Sequence, residues 1–266
     1  MIKIHKSSNI PSVLTTKGSV ETANLINAYH TNPSHPFSFD QSIYGHSTVK
    51  KQLIKEQHEK CCFCEAKFLD NSFGDVEHFR PKAAYKKRGA SQLTYPGYYW
   101  LAYDWNNLMF SCEKCNRSYK KNEFPLNDET TRKFHHAHPN PLEKEDRLLI
   151  NPIEEDPSHF ITFKEEVPIA INNNLKGQTS IEVYGLERLD NSRLEHLFYL
   201  KSILPYANID EANSVDVNEA AKYLKISTDD VVDLIKNAKA LFNSAAKDSA
   251  KFALCVRCKF PYLPTI

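Results

Sequence analysis

Two Cys-x-x-Cys pairs, and the polar residues between them, carry the chemistry legible in this sequence. Cys61-Cys62-Phe63-Cys64 supplies one pair, Cys61 and Cys64, and Cys112-Glu113-Lys114-Cys115 supplies the other. Each pair presents two sulfurs from one tight turn, and four soft thiolates suit a tetrahedral zinc ion. The plain alternative is buried core cysteine. Two knuckles flanking a polar, basic stretch favour a structural Zn2+ held by Cys61, Cys64, Cys112 and Cys115. The knuckles lie 48 residues apart, longer than a compact zinc ribbon, so a functional segment is inserted between them. Cys62 falls outside the set and is expected to pack inward. Cys255 and Cys258 form a third pair, but at the end of an apolar helical pattern and with no fourth knuckle to join. They read as two cysteines on one helix face rather than metal ligands.

The inserted segment holds Asp75-Val76-Glu77-His78-Phe79-Arg80-Pro81-Lys82 and then Trp105-Asn106-Asn107-Leu108. The second knuckle continues as Asn116-Arg117-Ser118-Tyr119-Lys120. An acid beside a histidine, followed by two amides, suits phosphodiester hydrolysis, which needs an activated water and a cation at the phosphorus. Glu77 and Asn116 can offer oxygen to a hard divalent ion. His78 can take the proton, because its unperturbed pKa lies near working pH. Arg80, Lys82, Arg117 and Lys120 are the expected substrate contacts, to phosphate or to charge developing on it. An ordinary solvated edge is the competing reading for these four. Tyr95, Tyr98, Tyr99, Trp100, Tyr103 and Trp105 precede Asn107; most are expected in the core, with one or two free to stack on bases. His135, His136 and His138 have no acid at matching spacing and read as loop residues.

At these residues the sequence resembles the HNH (ββα-metal) nuclease family. The acid–His pair matches Glu77-His78, the middle Asn-Leu matches Asn107-Leu108, and the residue after a zinc-knuckle Cys falls on Asn116. The resemblance implies a hairpin, loop and helix wrapped on one catalytic metal. It makes His78 the general base, Glu77 and Asn116 the metal ligands, and Asn107 the brace of the loop that carries His78. The family often has Asp at position 77 and His at position 116. Asn at 116 favours Mg2+ or Mn2+ over a transition metal. The stretches Glu-His-Phe-Arg-Pro-Lys, Trp-Asn-Asn-Leu, Ser-Cys-x-x-Cys-Asn-Arg-Ser and Phe124-Pro125-Leu126 narrow the likeness to the PtuB type. With Leu148–Pro152 and Ser180–Leu186 added, it covers residues 60–195. It implies a nuclease subunit of a bacterial antiphage (Septu) system. The implied partners are a PtuA-type ABC ATPase and, in some loci, a retron reverse transcriptase with its multicopy single-stranded DNA. DNA is the expected substrate. RNA, including tRNA, requires no change in the chemistry, and a non-catalytic zinc-stapled docking module is the third reading.

The remaining elements must position these groups. The expected fold class is α+β, a zinc-stapled ββα-metal core with flanking, mainly helical regions. The expected division is 1–60, an N-terminal helical region for partner docking; 61–126, the nuclease core; 127–184, a loop-rich connection; and 185–266, a helical C-terminal region. Helices are predicted near Ser19–His30 and His46–Lys60, where Val49, Leu53 and Ile54 share a face. Asn32-Pro33-Ser34-His35-Pro36 is a breaker cluster. Ile161–Phe163, Pro168–Ile171 and Thr179–Val183 are predicted short strands. Helices follow over Val217–Leu224, Asp229–Phe242 and Ala245–Arg257. Glu219–Ile235 has a helix-turn-helix outline, but its second helix opens on Asp229 and Asp230, which phosphates would repel.

Composition sets limits. The 266 residues are 41% hydrophobic, enough for a real core, and the net charge is +1. Between His78 and Asn122 lie nine Lys/Arg against two acids, so this stretch carries +7 and the rest −6. A basic island in an acidic chain fits an anionic ligand such as nucleic acid. No apolar run approaches the ~18 residues of a membrane span, and the first residues lack a signal-peptide pattern. A cytoplasmic protein is therefore expected, and its odd number of cysteines points away from a disulfide framework.

Overall fold

A computed structural model of the chain describes residues 1–33 and 36–265. Ser34 and His35, the middle of the breaker cluster, lie outside the described residues. The N-terminal helices are α1 (Ser19–Thr31), α2 (Gln41–Tyr44) and α3 (Ser47–Glu56). On α3, Val49 and Leu53 are buried while Lys51 and Lys55 face out, and the His46 side chain accepts a hydrogen bond from Thr48 N at the helix start. The strands β1 (Asp75–His78) and β2 (Leu108–Ser111) pair antiparallel, with Glu77 opposite Met109 and His78 opposite Leu108. A wide, π-type helix, Lys114–Lys120, follows directly. Residues 79–107 connect the two strands.

Strand alternation makes β2 the divider of the core. Met109 points into a cluster with Phe63, Phe79, Cys115, Phe124, Leu149 and Tyr184. Leu108 and Phe110 point the other way, to Leu25, Val49, Leu53, Tyr99 and Trp105. The hairpin is thus clamped between the N-terminal helices and the zinc-knuckle side, and it cannot slip by one residue without reversing both faces.

Two further hairpins follow, β3 (Leu126–Asp128) with β4 (Asp146–Arg147), and β5 (Ile161–Lys164) with β6 (Val167–Ala170). The last agrees with two of the three predicted strands. The third, Thr179–Val183, is instead part of helix α4 (Leu175–Val183). Asn174 caps it by accepting from Gly177 N, so a cap outweighed the apolar alternation of Ile181 and Val183. Helices α5 (Asp190–Ala207), α6 (Ser214–Leu224), α7 (Thr228–Ser244) and α8 (Ala253–Lys259) complete the chain. The final helix starts later than the predicted Ala245, because residues 246–252 form turns that end with Phe252 at a positive φ of 54°. No described helix is long and apolar enough to cross a membrane.

Candidate active site and metal centre

The Sγ atoms of Cys61, Cys64, Cys112 and Cys115 all lie within 4.8 Å of one another. A zinc ion with Zn–S bonds of about 2.3 Å sets its sulfurs about 3.8 Å apart; Cys64 and Cys112 stand at 3.9 Å. Burial pushes the Cys61 and Cys115 thiols up, whereas hydrogen bonds from its three neighbours hold Cys112 far below the usual thiol range. Four thiolates at this separation would need a cation to balance them, and the donor set fits a metal such as zinc. Cys62 is buried beside the cluster but outside it. Arg188 adds a contact the spacing could not reveal. Its guanidinium donates to Cys115 Sγ at 3.0 Å and to the Tyr184 and Gly185 carbonyls. The third pair lies on α8, where Cys255 donates to the Glu165 carbonyl and Cys258 meets Thr162 Oγ1 at 3.4 Å. Neither belongs to the four-sulfur cluster.

A cleft of roughly 300 Å³ runs beside the hairpin, bordered by Tyr44, Lys50, Glu77, His78, Lys82 and Asn116 among others. Gly74 to His78 line it consecutively, as expected of a groove along the unpaired edge of β1. Glu77 and His78 leave opposite faces of the strand yet border the same space. His78 is buried, and its Nε2–H donates to the Ala102 carbonyl at 2.9 Å. The neutral ring therefore keeps its lone pair on Nδ1, which faces Lys82 Nζ at 3.4 Å. Burial, reinforced by Lys82, holds the His78 pKa well below the ordinary histidine value. The Tyr44 ring packs edge-on against the imidazole, and Lys82 lies 4.5 Å from the Tyr44 ring centre.

Asn107 ties the connecting segment together. Its Oδ1 accepts from Arg80 N at 2.8 Å, and its Nδ2 donates to the Arg80 and Leu101 carbonyls. It thereby fixes the chain two residues beyond His78 and one residue before the carbonyl that holds the imidazole. Lys6 pins the same turn by donating to the Trp105 and Leu108 carbonyls.

Glu77 is buried with Oε1 2.6 Å from Lys120 Nζ, and burial nevertheless raises its pKa. Asn116 reaches not Glu77 but Asp75, with Nδ2 to Oδ2 at 3.1 Å, and Arg117 grips the same carboxylate at 2.6 and 2.8 Å. Asp75 was missed from sequence, although period-2 alternation places it on the same strand face as Glu77. Of the four expected substrate contacts, Lys82 and Arg117 border the cleft. Lys120 is fully buried on Glu77 and the His78 carbonyl. Arg80 is also buried, 2.8 Å from Glu145 and outside the cleft lining, so its place is structural. Among the aromatics, Tyr98, Tyr99, Tyr103 and Trp105 are buried and Tyr95 is exposed.

No known protein-family profile matches the chain, and no solved structure matches it. Curated proteins do. Septu protein PtuB of Bacillus mycoides (strain KBAB4) is 41% identical over 191 residues, 71% of this chain and 63% of that protein. By sequence, the chain is a PtuB-type Septu homologue. Septu protein PtuB of Bacillus thuringiensis is 29% identical over 150 residues, covering 56% of this chain and 45% of that one. The chain thus spans 63% and 45% of the lengths of these two PtuB proteins. A stretch of Septu protein PtuA from Bacillus mycoides is also similar, 26% identical over 149 residues but only 20% of that longer protein. Beside the PtuB likeness stands a cluster of four cysteines from two knuckles that could hold a metal such as zinc.

Proposed function

We propose that this chain is a metal-dependent HNH-type endonuclease that hydrolyses phosphodiester bonds in DNA, as an effector of an antiphage Septu complex with a PtuA-type ATPase. One observation carries the chemistry: a buried His78 whose Nε2–H is committed to the Ala102 carbonyl, which leaves the lone pair on Nδ1, beside Lys82, at a cleft lined by Asp75, Glu77 and Asn116. His78 Nδ1 takes the proton of the attacking water. Asn107 and Ala102 hold the imidazole in that tautomer. Lys82 and Arg117 draw the scissile phosphate into the cleft.

The hard oxygens at the cleft, those of Glu77 and Asn116 with Asp75 beside them, suit Mg2+ or Mn2+, which take one or two carboxylates and complete their shell with water and phosphate. Burial raises the Glu77 pKa although Lys120 lies beside it, so a cation reaching this carboxyl would stabilise its ionised form. A bound ion would supply charge stabilisation at the phosphorus. The PtuA partnership is supported by the related stretch inside a much longer PtuA chain, since a segment that occurs separately in one protein and joined in another suits a working pair.

The test uses the purified chain, alone and with a PtuA-type partner, incubated with Mg2+ or Mn2+ and either plasmid DNA or tRNA. Cutting of plasmid is expected, and His78→Ala should lower its rate by about 10²–10⁴, the usual worth of a general base. The base-competent form is the neutral imidazole. Because the His78 pKa is depressed, the rate should hold into mildly acidic buffer and fall about tenfold per pH unit only below the ordinary histidine range. Cutting at the wild-type rate by His78→Ala sinks the mechanism, and cutting confined to tRNA moves the substrate to RNA.

A further inference from the structure

Outside the cysteine cluster, the last turn of α1 meets the loop after β3. His30 and His136 point their Nε2 atoms at each other, 3.3 Å apart, with the rings nearly perpendicular. His136 is held from behind, because its Nδ1 lies 2.6 Å from the hydroxyl of buried Tyr99. Tyr99 is itself stacked on Tyr29 and Phe37. The His136 ring is therefore fixed in orientation with one nitrogen turned outward, the arrangement in which an imidazole is held by its far nitrogen for metal ligation.

We infer that His30 and His136 form a second transition-metal site, one that clamps α1 to the loop of residues 132–140. With Zn–N bonds of about 2.05 Å, two nitrogens 3.3 Å apart subtend about 107° at the ion, against about 109° in a tetrahedron. Imidazole nitrogen suits zinc, nickel or copper rather than magnesium. Among the described residues no third His, Cys, Asp or Glu completes the set, so solvent fills the remaining positions and the ion is exchangeable, unlike one held by four sulfurs. The clamp bears on the candidate active site through backbone. Tyr99 opens the short turn Tyr99–Leu101, and the next carbonyl, that of Ala102, is the acceptor for His78 Nε2. This site stands on its own geometry and does not depend on the nuclease reading.

Calorimetric titration of Zn2+ into the zinc-stapled full chain tests it. One further equivalent is expected to bind, with a rise in Tm, and His30→Ala and His136→Ala should each weaken that binding at least tenfold. His30 is exposed, so its variant should fold as wild type does, checked by circular dichroism. His138→Ala, outside the facing pair, should bind as wild type does. Absence of the extra equivalent, or its persistence in His30→Ala at wild-type affinity, overturns the site.

Discussion

The sulfur cluster and the hairpin cleft lie within one stretch of chain, yet they satisfy their charges in opposite ways. In the cluster four acidic donors converge, and the guanidinium of Arg188 reaches their edge. In the cleft each acid already has an internal partner, Glu77 with Lys120 and Asp75 with Arg117. A site short of positive charge depends on its ion to fold. A site that balances its own charges folds first and exchanges ions and substrate later. On the proposed reading, a metal would stabilise the fold at the sulfur cluster, whereas the cleft would only exchange one.

Three measurements can break that contrast. The largest effect belongs to the sulfurs. Cys112→Ser, or prolonged chelation, should unfold residues 60–125, since structural zinc contributes about 10–16 kcal/mol in small zinc domains. Zinc content and amide exchange would report it, and a chelated protein with unchanged protection in β1 and β2 would contradict the staple. Next comes Lys120→Met, which strands the buried Glu77 carboxylate. Breaking a buried pair in this way costs about 3–5 kcal/mol, read by urea unfolding. Millimolar Mn2+ should restore part of the loss if the cleft accepts a cation, and an undiminished stability would show that Glu77 does not rely on Lys120. The smallest effect is expected at α8: Cys258→Ser should leave zinc content unchanged and stability within about 1 kcal/mol, because its half-buried sulfur meets Thr162 at the edge of a small apolar cluster, apart from the four-sulfur group. Loss of zinc in this variant would place Cys258 in a metal site.

What was legible in the sequence was what is local. A Cys-x-x-Cys knuckle fixes two sulfurs by its own turn, so the four cysteines that converge could be named from spacing. Glu77 and His78 could be nominated because they are adjacent, and Asn107 because of its place beside Leu108. The strands of β5 and β6 and the helices α6 and α7 announced themselves by periodicity. Legibility failed where partners are remote. Nothing near Arg80 foretells Glu145, 65 residues away, so a buried ion pair was read as a substrate contact. Lys120 looked like part of a basic surface until the fold turned it inward to Glu77. Asp75 gains its place only once the edge of β1 is known to be open and Asn116 is seen to reach it. His135, His136 and His138 lie in a loop, as the sequence suggests, but no local pattern foretells that His136 faces His30, 106 residues earlier. Thr179–Val183 shows the converse error: alternation over five residues suggested a strand, but the cap at Asn174 set the conformation of the whole segment.

The Arg188 contact has a consequence for reactivity. Zinc with four thiolates carries a net charge of −2, and electron-rich sulfur of that kind is open to attack by oxidants and alkylating agents. A guanidinium 3.0 Å from Cys115 Sγ withdraws part of that density and occupies one approach to the sulfur. Cys115 should therefore be the slowest of the four to be modified, and its protection comes from a segment that follows it by 73 residues. Chemical endurance of the knuckle is in this sense a property lent by a later turn of the chain.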